Sequence, residues 1–186
     1  VKKHTVKDLM VPISEYATVP LGTTLFDAIL ALENAQENFE HGKYHHRAIL
    51  VLDKHNKVVG RISQLRVLKA MESAETDYSH IEQLKMYKFS DAYISQQREK
   101  ARLNCKVFTN TLLKEAAKKL VDDFMQKPTP DEYVSELSEL DLAMHKMVAG
   151  AHQSLLVTQE DDIVGVLRLV DVFTASFHAM KELDIS

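Results

Sequence analysis

The 186-residue chain is 45% hydrophobic and 27% charged, with a net charge of −4, a composition that can bury a full globular core. That acidic balance argues against a general binder of nucleic acid or anionic membrane, and apolar runs such as "AILVL" at 48–52 are too short to span a bilayer. Cys105 is the only cysteine, so an internal disulfide is excluded and a reducing, cytoplasmic setting is expected.

In chain order, "VKDLM" at 6–10 comes first, followed by Leu25, Ala28, Ile29 and Leu32. These four fall at i, i+3, i+4 and i+7, the spacing of one face of an amphipathic helix. "RAILVLDKHNKVVGRIS" (47–63) is two β-rich runs around a polar turn, which predicts a hairpin, and Leu65, Leu68 and Met71 then resume a helical pattern. Residues 76–119 contain neither glycine nor proline. Stripes at Ile81 and Leu84, and at Leu112, Leu113, Ala116, Ala117 and Leu120, predict a helical insertion, with Asp91 and Asn110 as N-caps. The opening pattern then returns 115 positions on: "VDDFM" at 121–125, with Leu140, Ala143, Met144 and Met147. "QSLLVTQEDDIVGVLR" (153–168) repeats the hairpin, and Leu169, Val172, Phe173, Phe177 and Met180 repeat the last helix.

The reading is an α/β (α+β) chain of two β-α-β-β-α units, 1–75 and 120–186, joined by the insertion 76–119. The first copy carries about nine extra residues before its hairpin, around "NFEHGKYHH". Each small sheet has an apolar face that its own helices cover only in part, so the two copies are expected to close on each other with pseudo-twofold symmetry. Met10 and Met125, equivalent in the two copies, are expected to fill gaps where the units meet.

The order of these segments, twice over, resembles a tandem pair of cystathionine-β-synthase (CBS) domains, a Bateman module. "TVKDLMVP" (5–12), "TTLFDAI" (23–29) and "HRAILVLDKHNKVVGRIS" (46–63) carry the likeness in the first copy, "LVDDFM" (120–125), "ELDLAMHKM" (139–147) and "HQSLLVTQEDDIVGVLRLVDVF" (152–173) in the second. The resemblance implies no catalysis. It implies an adenosyl ligand (AMP, ADP, ATP or S-adenosylmethionine) in clefts between the paired units, and association into a homodimer. In the family pattern the last strand leads into Ser/Thr-x-x-Asp, the hydroxyl near phosphate and the carboxylate on the ribose. Asp171 stands at that aspartate in the second copy, with Arg168 in place of the hydroxyl residue; the first copy keeps Ser63 but has Arg66 for the aspartate. Adenine would lie against His46, Arg47 and Ala48, or against His152, Gln153 and Ser154. The second cleft is preferred, because Arg168 can grip phosphate while Arg66 cannot accept from ribose.

Plainer readings stand beside these. Arg168 and Asp171 are three apart and can pair with each other. Ser63 can simply cap the helix that follows. "HGKYHHR" (41–47) holds adjacent histidines but no obvious ligand set, so no metal is expected. Cys105 has no evident catalytic partner. The alternatives to a ligand-binding regulatory module are a structural or oligomerisation pair with degenerate, empty clefts, or the regulatory fragment of a larger protein. The helical insertion is a candidate surface for a protein partner.

Overall fold

The computed structural model describes residues 4–37, 47–72, 79–104 and 106–183. The first copy runs from helix α1 (Val6–Leu9) through strands β1 (Val11–Pro12) and β2 (Thr18–Pro20) to helix α2 (Leu25–Glu37). The hairpin β3 (Ala48–Leu52) and β4 (Val58–Ser63) then leads into helix α3 (Gln64–Glu72). The second copy repeats this order with α7 (Val121–Phe124), β5 (Tyr133–Ser135), α8 (Leu140–Gly150), β6 (Ser154–Gln159), β7 (Asp162–Arg168) and α9 (Leu169–Lys181). Between them lie α4 (Ser79–Met86), α5 (Asp91–Asn104) and α6 (Asn110–Ala117).

β2, β3 and β4 form one sheet, and β1, β7, β6 and β5 the other, each with its hairpin antiparallel and its short first strand parallel. The hairpins are equivalent down to a register shift after Val51 and after Val157. Side chains alternate across a strand. Ile49, Val51 and Ile62 therefore pack with Ala28 of α2, and Leu155, Val157 and Leu167 with Ala143 and Met147 of α8. The opposite faces meet each other through Leu50, Leu156 and Val166, closed by Val11 and Tyr16.

The leading helix of each copy docks on the other copy. Val6 lies in the core with Val134 and Leu167, and Val121 in the core with Val19 and Ile62. Val6 N–H donates to Ser138 O and Leu140 N–H to His4 O; 115 positions away, Val121 N–H donates to Thr23 O and Leu25 N–H to Lys119 O. β1 pairs with β7 through Val11 and Val166, and Gln126 bridges Arg61 of β4 in the same way. The pseudo-twofold relation thus holds at the level of single hydrogen bonds, and the two units are interlocked rather than merely apposed.

Met10 and Met125 ride on these crossing segments. A Cβ on Gly165 would meet Met10, and a Cβ on Gly60 would meet Met125, so each strand carries glycine where a methionine crosses it. In the insertion, Ser90 and Thr109 hold the N-cap places instead of Asp91 and Asn110. Tyr93 N–H donates to Ser90 Oγ and Leu112 N–H to Thr109 Oγ1. Each cap lies one residue earlier than expected, because the neighbouring hydroxyl reaches the free N–H groups first. Arg102 of α5 ties back to Glu72 of α3 at 2.6 Å.

Candidate functional site

Where α3 and α9 begin, the two sheets leave a cavity of about 670 Å³. Arg47, Ala48 and Ser63 line it from the first copy, and His152, Gln153, Ser154 and Arg168 from the second. Both sets of expected residues therefore face one shared space. Two of the ten stand elsewhere, and a third is not among the described residues. Arg66 does not line the cavity; its backbone N–H donates to Ser63 Oγ at 3.3 Å, so Ser63 caps α3. Asp171 sits one layer behind the wall. His46 lies outside the described residues, as do His41, His45 and Cys105.

Arg168 ends β7 at the N-cap position of α9, which puts Asp171 in the first turn of that helix. The guanidinium and the carboxylate meet as two forks: Nε to Oδ2 at 2.6 Å and Nη2 to Oδ1 at 2.7 Å. The side chains are 9% and 16% exposed, so water screens the pair little.

A second ion pair, absent from the expected set, crosses the floor. Arg61 of β4 pairs with Glu132, which is 1% exposed, and its Nη1 donates to Ser154 O and Oγ at 3.3 Å. Glu132 also accepts from Thr129 N–H at 2.8 Å and from Gln126 Nε2 at 3.5 Å. His152 stands between two carboxylates, with Nε2 2.8 Å from Asp131 Oδ2 and Nδ1 3.8 Å from Glu132 Oε1. The sequence held a signal for the Arg61–Glu132 pair. Arg61 and Glu132 are equivalent to Val166 and Ala17 of the other copy, so two charges stand where the repeat has aliphatic residues.

Burial pushes the Tyr16 phenol up to about 12, against the pull of Arg168 and Arg61 beside it and with a small push from Asp171. Asp131 is held below the usual carboxylate range, first by the Thr129 hydroxyl, then by its own backbone N–H and by His152. Leu65 and Phe173, both largely exposed, form an apolar rim. Ala151, also at the rim, has a left-handed backbone with φ of 51° where α8 ends. A second cavity of about 700 Å³ lies at the hairpin turns, among His55, Lys57, Tyr133, Asp161 and Asp162, and contains none of the expected residues. Among the described residues no helix is long and apolar enough to cross a membrane, and no group of three His, Cys, Asp or Glu residues is placed to hold a metal.

Residues 6–73 match the family described as CBS domain. No curated protein matches the chain. Solved structures do. A CBS domain-containing protein from Bacillus anthracis is 18% identical with a TM-score of 0.61, the match covering 97% of this chain and 95% of that one. CBSX2, solved in complex with AMP, is 19% identical with a TM-score of 0.59, covering 94% and 97%. A CBS-domain-containing protein from Agrobacterium tumefaciens is 16% identical with a TM-score of 0.56, covering 92% of each. Residues 6–73 thus match the CBS-domain model, and the chain as a whole shares its fold with these CBS-domain proteins.

Proposed function

We propose that this chain is a non-catalytic regulatory module that binds an adenosyl ligand in the cavity between its two CBS units. The observation that carries the reading is the convergence of both strand starts, Arg47–Ala48 and His152–Ser154, and both helix starts on one cavity. Leu65 and Phe173 suit a planar base, while Arg47 and the Ser63 hydroxyl suit a phosphate. The fold shared with CBSX2, which was solved with AMP, is consistent with this placement. Asp171 acts on the ligand through Arg168; direct contact with ribose would require it to turn away from that guanidinium.

The ligand touches both copies at once and therefore favours one relative setting of the interlocked units, a shift of population rather than a chemical step. Phe26 on α2, Leu68 on α3, Val148 on α8 and Met180 on α9 are exposed apolar residues that suit a homodimer. Met86 at the end of α4, with Tyr87 and Phe89 just after it, is exposed, and the three suit a protein partner that reads the change. The test is a thermal-shift panel of AMP, ADP, ATP and S-adenosylmethionine. At a hundred-fold excess over Kd, native-state binding adds about 3 kcal/mol, so at least one compound raises the melting temperature by several degrees.

The second reading is a structural pair whose cleft has lost its ligand. The closed Arg168–Asp171 fork and the capping role of Ser63 favour it. Flat melting curves across the panel, together with a stable dimer in light scattering, would establish that reading instead.

A further inference from the structure

We infer that the cleft selects ligands bearing no more than one phosphate, and that Asp171 sets this limit by occupying Arg168. The inference rests on the nucleotide reading above. Three guanidinium groups line the cavity: Arg47, Arg61 and Arg168. Arg61 is matched by the buried Glu132, and Arg168 by Asp171, which takes its Nε and Nη2 donors as a bidentate pair.

A polyphosphate approaching Arg168 meets a guanidinium whose charge Asp171 already balances, and the largely buried carboxylate repels the incoming negative charge in a poorly screened place. The same holds for Arg61, whose charge Glu132 balances and whose Nη1 donates to Ser154. Asp131 adds a further negative charge beside His152 on the second copy's side. Among the described residues, Arg47 is the lining guanidinium with no carboxylate partner, and it is exposed. Next to it the Ser63 hydroxyl, although it accepts from Arg66 N–H, keeps its own proton to donate. The wall therefore offers an anion one guanidinium without a carboxylate beside it, that of Arg47 in the first copy, with the Ser63 hydroxyl on the neighbouring strand. The ligand's phosphate lies toward Arg47 and Ser63, its base toward His152–Ser154 and Phe173.

Titration calorimetry of adenosine, AMP and ATP at fixed ionic strength tests this. The wild-type chain is expected to bind AMP at least about ten-fold more tightly than adenosine, and ATP no more tightly than AMP. Arg47→Gln removes the advantage of AMP over adenosine. Asp171→Asn keeps the side-chain shape but releases the Arg168 fork, and so tightens ATP relative to AMP by about ten-fold or more. If no adenosyl compound binds the wild type, the proposed function falls and this inference with it. If they bind but ATP is tighter than AMP, the selectivity is overturned while the function stands. An Asp171→Asn chain with an unchanged ratio, or one that no longer binds AMP, also overturns it, the latter assigning Asp171 to the ribose. Should Asp171→Asn fail to fold, the wild-type order and Arg47→Gln decide.

Discussion

Tyr16 shows how a residue at the edge of a site can report on the folded state. Its phenol is enclosed where the two sheets meet, and its folded pKa of about 12 lies above the value near 10 of an unfolded tyrosine. The folded chain therefore holds a proton between pH 10 and 12 that the unfolded chain has released. The resulting stability is complete below about pH 10 and is lost as the pH rises through about 12, a total of roughly 3 kcal/mol. Denaturant midpoints measured from pH 9 to 12 should fall more steeply for the wild type than for Tyr16→Phe. Parallel slopes would contradict the assignment.

Among the elements, the crossing segments impose the tightest constraints. A Cβ at Gly165 would stand 2.7 Å from the Val11 carbonyl oxygen, a backbone atom, so β1 itself would have to move. At Gly60 the neighbour is the Met125 side chain, which can swing aside. Gly165→Ala should therefore cost about 1–3 kcal/mol, and Gly60→Ala clearly less, in chemical denaturation. The Arg61–Glu132 pair joins β4 of the first copy to the turn before β5. Arg61→Val alone strands a buried carboxylate and should cost about 3–5 kcal/mol. Adding Glu132→Ala restores the aliphatic types found at Val166 and Ala17, so the double variant should be more stable than Arg61→Val alone, even without the Thr129 cap. Purely additive losses would show that the two charges are not coupled.

At the scale of the whole molecule, the repeat was legible because equivalent positions obey equivalent packing: Ala28 and Ala143 are both fully buried, and Gly60 and Gly165 both lie under a methionine. The interlock was not legible. Periodicity marks Val6 and Val121 as apolar, but it does not say which copy's core receives them. Arg61 and Glu132, 71 positions apart, meet only through the completed fold, so the floor of the cleft had to come from the structure. Ser63 and the Arg168–Asp171 pair could each be read in two ways from sequence. The structure shows Ser63 as a cap and Arg168 locked to Asp171, both at the wall of the same cavity.

The account turns on that cavity being a nucleoside site shared by both copies. Gln153 lines it yet is exposed, so Gln153→Trp fills the space without disturbing a core. Calorimetric titration of AMP into the wild-type chain and into Gln153→Trp, matched for melting temperature, is the direct measurement. Saturable heat in the first that is lost in the second is the predicted result; equal affinity in both, or no heat from the wild type, would contradict it.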